Sequence, residues 1–144
     1  VFDNETTAEM TEIRAHSLVL MLASEVFQKM LTHEMKEKNT RQIHLPGKCP
    51  EEFKVLLKFL QPLAGRLQKI SMDNVSFLMK WAHEYGIGIL ETECVDFMYA
   101  QQVSEENLDF LLKMAEDYGL DKLKSKCLEF IKTLEPTMSR VVQA

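Results

Sequence analysis

Residues 13–31, IRAHSLVLMLASEVFQKML, contain the stretch on which the rest of the chain depends. Leu18 to Ala23 is the longest unbroken apolar run in the sequence. It leads into Ser24, a residue suited to capping a helix start, and then into an apolar stripe at Val26, Phe27, Met30 and Leu31. The run has no polar face, which predicts a central, buried position for it. Ser24 to about His33 is expected to form the following helix.

The pattern His16, Val19-Leu20, Ala23-Ser24 and Val26-Phe27 resembles the motif "aH…VLa…S.vF" of the first two helices of BTB/POZ domains. The resemblance implies an α+β fold, mostly helical, with helices packed on a small three-stranded sheet and followed here by an extra helical hairpin. Upstream, Val1-Phe2 reads as the tail of a strand, Asp3-Asn4 as turn residues and Ala8 to Arg14 as an imperfectly alternating return strand. In the family a strand of this kind opens the domain. An aspartate that members carry early in it would precede Val1, leaving its partner His16 in view. By itself His16 reads as a hydrogen-bonded histidine at a strand-to-helix corner rather than a catalytic or metal-binding one.

Downstream, Arg41 to Leu45 alternates, Ile43 and Leu45 against Gln42 and His44, as a half-buried strand does, and Pro46-Gly47 closes it. Pro50 suits the first position of a helix, Glu51-Glu52 complement its positive end, and Phe53, Leu56, Leu57 and Leu60 supply the apolar face. Together "IHLPGKCPEEFKVLLKFL" is similar to the strand and third helix of the BTB fold. The next residues, Gln61-Pro62-Leu63-Ala64-Gly65, depart from it: most members have "YtG", with a tyrosine packed beneath the next helix, where this chain has Gln61.

Between the second helix and the strand lies HEMKEKNTR, residues 33–41. Composition alone makes it a solvated loop. Met35-Lys36-Glu37, however, matches the hydrophobic-x-Glu motif that cullin-binding BTB adaptors carry in this loop. The resemblance therefore assigns Met35 and Glu37 to protein binding: an apolar side chain fills a pocket on the partner, and the carboxylate sets orientation through charge-assisted hydrogen bonds. The exposed side of the helix Ile89 to Tyr99 is expected to help.

Residues 70–98 and 103–131 align without gaps at an offset of 33, with eleven identities, among them Ser71/Ser104, Asn74/Asn107, Tyr85/Tyr118, Gly86/Gly119 and Cys94/Cys127. Each copy reads as a serine N-cap, an amphipathic helix, a glycine stop and a second helix. Leu, Cys and Phe fall at i, i+4 and i+7 of the second helix, which turns Cys94 and Cys127 inward as small hydrophobes. The period invites an ankyrin or tetratricopeptide reading, but two copies are too few for a solenoid and neither signature is present. In the BTB family the last two helices form such a hairpin, and cullin-binding members of the MATH-BTB type append another, the 3-box or start of a BACK domain. Asn107, Leu111, Ala115, Leu123, Cys127 and Phe130 resemble that appended unit. The expected organisation is a BTB/POZ domain over residues 1–100 with a truncated first strand, a hairpin over 103–134 and a tail over 135–144. Leu134-Glu135-Pro136 is expected to end the hairpin.

The chain has 144 residues, enough for one domain with a short extension. A net charge of −5, with lysines interleaved among glutamates, argues against a nucleic-acid surface. Cys49, Cys94 and Cys127 form no CxxC and cannot all pair within the chain, which points to a reducing compartment, cytoplasmic or nuclear. No segment has the apolar length of a membrane helix. Beginning at Val1, the chain reads as a piece of a longer protein. Phosphate loops, GxSxG and HExxH are absent and the four histidines are scattered, so no catalytic residue, metal ligand or cofactor is expected. The family resemblance implies a protein-interaction module that homodimerises and bridges a cullin scaffold, the third of its class, to substrates held by a domain outside this chain. Alternatives are the oligomerisation or corepressor-docking domain of a transcription regulator, or a helical-repeat scaffold unrelated to BTB.

Overall fold

A computed structural model describes residues 2–3, 10–32, 42–61 and 68–143, with side-chain surroundings over 12–32, 42–61 and 68–134. The chain divides into two compact units, residues 1–94 and 95–144. Among the described residues, β structure is confined to one antiparallel pair, β1 (Phe2–Asp3) and β2 (Met10–Thr11), with Phe2 opposite Thr11 and Asp3 opposite Met10. The return strand is thus shorter than the alternation over Ala8 to Arg14 implies. Gln42–Leu45 also departs from expectation. Its burial alternates, Leu45 and Ile43 inward and Gln42 and His44 outward, yet it is not a strand.

The helices of the first unit are α1 (Ser17–Ala23), α2 (Glu25–Thr32), α3 (Pro50–Leu60), α4 (Val75–Glu84) and the first part of α5 (Gly88–Ala100). Ser24 separates α1 from α2. Its backbone is extended (φ −134°, ψ 124°) and its side chain buried, and Oγ accepts the Phe27 N–H at 3.1 Å while donating to the Tyr85 carbonyl. The expected N-cap at this position is therefore present, and it also reaches the C-terminus of α4. Pro50 begins α3 as expected, burying Phe53 and Leu56. From α2 to α3 the core is a column of rings. Phe27 stacks on Tyr85 at 4.8 Å, Tyr85 on Trp81 at 5.3 Å, and Trp81 meets Phe53 tilted at 5.5 Å. Lys48 lies over the Trp81 and Tyr85 rings at 5.6 and 5.9 Å and pairs with Glu84, while the Trp81 indole donates to Glu52 at 3.2 Å. The one polar atom of the indole is thereby satisfied.

One expectation is overturned here. The apolar run of α1 is not central: only Leu20 is buried, whereas Leu18 and Leu22 are 61% and 77% exposed. A helix apolar all round needs cover on every side, and among the described residues the elements cover one side of this one.

The second unit contains the rest of α5, then α6 (Leu108–Asp117) and α7 (Asp121–Gln143), the last two packed as a hairpin. The local chemistry of the duplicated turns is the same in both copies. Gly86 and Gly119 adopt φ of 63° and 64°, and beyond them Ile87 N–H and Leu120 N–H return to Ala82 and Ala115 carbonyls, each at 2.8 Å. The residue in the N-cap position is Asn74 or Asn107, not the serine three places earlier. Each Asn Oδ1 accepts that serine's N–H at 2.8 Å, and Nδ2 donates to the carbonyl of Lys69 or Gln102. Asparagine closes the loop before the helix, and serine opens the turn that precedes it. Helix α7 also continues past Pro136 to Gln143 instead of ending near Leu134. One proline removes a single i→i−4 donor and can leave helix on both sides. Lys126 ties α7 to the end of α5, donating to the Tyr99 and Gln101 carbonyls at 2.8 and 2.6 Å.

Two predictions follow from this packing. Ser24→Ala removes the cap of α2 and leaves two buried backbone groups unmet, and is expected to cost about 1–3 kcal/mol in chemical denaturation. Cys94 and Cys127 are buried with raised thiol pKa, Cys94 pushed up to about 12 by burial and by Glu93 and Glu91, whereas Cys49 is exposed. A neutral thiol is favoured in the folded state, so the stability contributed by Cys94 is complete below its unfolded value of 9.0 and falls as pH rises toward 12. Alkylation near neutral pH should therefore label Cys49 alone until denaturant is added, as read by intact mass.

Candidate interaction surface

The outward side of α1 borders a groove of about 690 Å³. Its apolar walls come from Val19, Met21 and Leu22 of α1, Phe59 and Leu60 at the end of α3, and Ile87, Ile89 and Leu90 at the start of α5. Ile89 is 80% exposed. Three elements far apart in sequence thus place bulky aliphatic side chains around one concavity. The Ser24 link to Tyr85 brings α1 and α2 to the turn that starts α5, and Gly86 in that turn has Glu25 as its nearest side-chain neighbour. Polar groups lie at the margins: Glu25, Gln28, Gln61 and Glu93. Gln61, the departure from the family pattern, is exposed and lines the groove rather than packing beneath a helix.

A second concavity of about 400 Å³ lies on the other side of α1, among His16, Ser17, Leu20, Phe27, Leu45 and Phe53. His16 is at the N-cap position of α1, at the expected corner, where its carbonyl accepts the Leu20 N–H at 3.2 Å. Its ring is exposed and makes no capping bond. Among the described residues no three His, Cys, Asp or Glu side chains gather in metal-binding geometry, and no helix is long and apolar enough to cross a membrane. Cys94 and Cys127 face inward beside Leu90 and Leu123, as their spacing implies. Met35 and Glu37 fall in residues 33–41, outside the described residues. The groove escaped the sequence reading because an apolar run carries no mark of which of its sides the fold leaves open.

Comparison with known proteins gives this surface its context. The BTB/POZ domain family model matches residues 3–102. The chain belongs to the BTB/POZ family, whose domain is a protein-interaction module. It is 30% identical over 95 residues to mouse Kelch-like protein 7, a match covering 66% of this chain and 16% of that protein. Mouse TD and POZ domain-containing protein 4 is 30% identical over 86 residues, 59% of this chain and 23% of the relative. Drosophila melanogaster BTB/POZ domain-containing protein 9 is 32% identical over 97 residues, 67% of this chain and 13% of the relative. The chain therefore spans less than a quarter of the length of these relatives.

The exposure pattern of α1 has a direct test. Leu20→Ala should cost about 2–5 kcal/mol, while Leu22→Ser should stay within about 0.5 kcal/mol of the wild-type monomer. Urea denaturation of dilute protein measures both.

Proposed function

We propose that this BTB/POZ chain homodimerises through the open side of α1 and its groove, and serves as a substrate adaptor for a cullin-type ubiquitin ligase scaffold. The observation that carries the dimer reading is the exposure of Leu22 and Ile89 together around one concavity, with Leu18 also exposed on α1. Aliphatic side chains left in water contribute nothing to the fold of a monomer, and a contiguous set of them marks an interaction surface. A surface built on two short helices and a helix start suits a copy of itself, because a twofold contact uses the same patch on both partners.

The adaptor role rests on Met35 and Glu37 and on the family resemblance of the hairpin α6–α7 to a 3-box. Met35 fills a pocket on the scaffold and Glu37 fixes its orientation; the third cullin is the partner of this kind, in the cytoplasm or nucleus. Substrate proteins are held by a domain outside these residues, as in adaptors of the MATH-BTB type. The organisation proposed is a BTB/POZ domain to about residue 100, with a three-stranded sheet beneath its helices, followed by the hairpin over 103–134.

Met35→Ala or Glu37→Ala should weaken cullin binding by about 1–3 kcal/mol in calorimetric titration without changing the melting temperature. Glu37→Lys should abolish capture of a cullin from lysate. Unchanged affinity for both alanine variants would remove the loop from the reading. A wild-type mass equal to one chain at all concentrations would remove the dimer.

A further inference from the structure

The two hairpin turns have the same backbone and different surroundings. Tyr85-Gly86-Ile87 and Tyr118-Gly119-Leu120 share the positive φ and the returning N–H bond. Inside each hairpin the equivalent side chains are buried alike, Leu78 with Leu111, Ala82 with Ala115 and Cys94 with Cys127. Outside, the two differ. At the first turn the start of α2 is seated: Ser24 Oγ donates to the Tyr85 carbonyl, Phe27 stacks on the Tyr85 ring at 4.8 Å, and Glu25 Cβ lies 4.0 Å from where a Cβ on Gly86 would stand. Tyr85 and Ile87 are buried there. At Gly119, among the described residues, nothing comes within 4 Å of the same point, and Tyr118 and Leu120 are half-buried. The chain thus displays, at one copy, what covers a turn that the other copy leaves open.

We infer that the Tyr118-Gly119-Leu120 turn is a docking site for a helix start of another protein, one with serine or threonine as N-cap, a basic residue next and an aromatic ring three positions after the cap. The hydroxyl donates to the Tyr118 carbonyl, whose oxygen has two lone pairs to offer. The ring lies on Tyr118, and the incoming backbone passes over Gly119, where no Cβ obstructs it. Among the serines and threonines of this chain only Ser24 has an aromatic residue three positions on, and Ser24 and Phe27 are themselves buried at the first turn. A second copy therefore has no such helix start to give, and the occupant is a different protein. Charge sets the remaining preference. Where the first turn is flanked by His83, Glu84 and Gly88, the second has Glu116, Asp117 and Asp121, all exposed. Three carboxylates favour a cation in the incoming first turn, at the position Glu25 holds in α2. This surface is separate from the groove beside α1 and from Met35 and Glu37, so the inference does not rest on the dimer or the adaptor role.

The probe is a fluorescein-labelled peptide of residues 22–32 bearing Glu25→Lys, titrated with the full chain and read by anisotropy. Saturable binding is expected below about 1 mM, weakened about tenfold or more by Phe27→Ala in the peptide and about threefold or more by Ser24→Ala. The peptide that keeps Glu25 should bind more weakly, by a margin that shrinks as salt is added. Trp81, the one tryptophan of the chain, stacks on Tyr85 beside the chain's own Phe27, so a peptide that displaced α2 would move its emission. That emission should stay constant. In the chain, Gly119→Asn should weaken binding about tenfold: asparagine tolerates the left-handed backbone, and its side chain takes up the space over which the helix passes. A thermal melt establishes that this variant is folded, and the peptide variants decide the matter if it is not. No saturation up to about 1 mM, equal binding by the alanine peptides, or a shift of Trp81 emission on binding overturns the docking site. Undiminished binding to folded Gly119→Asn overturns its placement at this turn, and equal affinity of the Glu25 and Glu25→Lys peptides overturns the preference for a basic partner.

Discussion

The Ser24 hydroxyl makes two bonds that the rest of the first unit depends on. It accepts the Phe27 N–H, which starts α2, and donates to the Tyr85 carbonyl, which ends α4. A single buried side chain therefore satisfies one group left open at each of two helix ends. Because Ser24 is extended and the residues on either side are helical, α1 and α2 cannot merge into one rod. The chain turns there, and the turn is held against the turn that begins α5. The geometry of the groove follows from this, since α1 and the α5 start are its two main walls.

Packing around that link explains why the platform is firm. Phe27, immediately beyond the capped turn, begins the ring column through Tyr85 and Trp81 to Phe53, so the Ser24 bonds and the stacked rings both hold α2 to α4, and the rings extend the link to α3. Burial, with Glu84 nearby, raises the Tyr85 phenol to about 12. The neutral phenol is what the core accommodates; its contribution is complete below the ordinary value of 10.0 and fades as pH rises toward 12. Lys48 closes the column by lying over two rings while its charge meets Glu84. Rings and ion pair together carry the chain from the Pro46-Gly47 turn into α3 without leaving a buried charge alone.

Elements governed by local chemistry were legible in the sequence. The cap at Ser24, proline at the start of α3, glycines ending α4 and α6, and inward cysteines each depend on a few neighbouring residues and appear where their spacing places them. Misreadings arose where a distant partner decides. Gln42–Leu45 has the burial alternation of a strand but is not one. Ser71 and Ser104 have the chemistry of caps, yet Asn74 and Asn107 can also reach back to the loop carbonyls and take the position. Duplicated positions make the same point about burial. Met79 and Ile87 are buried while their counterparts Leu112 and Leu120 are half-buried, although the turns between them are alike. The site followed the same division: Met35 and Glu37 could be named from a motif, whereas the groove needed α1, α3 and α5 brought together.

The exposed side of α1 also bears on how the helix itself is held. Seven residues are too few for a helix to persist in water on propensity alone, and the only buried side chain α1 contributes is Leu20. Its C-terminal end is secured at Ser24, where the backbone N–H returns to the Leu20 carbonyl at 2.9 Å, but its N-terminal end lacks a side-chain cap. Covering Leu18 and Leu22 removes apolar surface from water and fixes the turn that the cap leaves loose. A partner covering them would favour association and helix formation through the same contact. The apolar run would then be both a recognition surface and an element whose stability depends on recognition, with free energy from binding spent partly on holding the helix that binds.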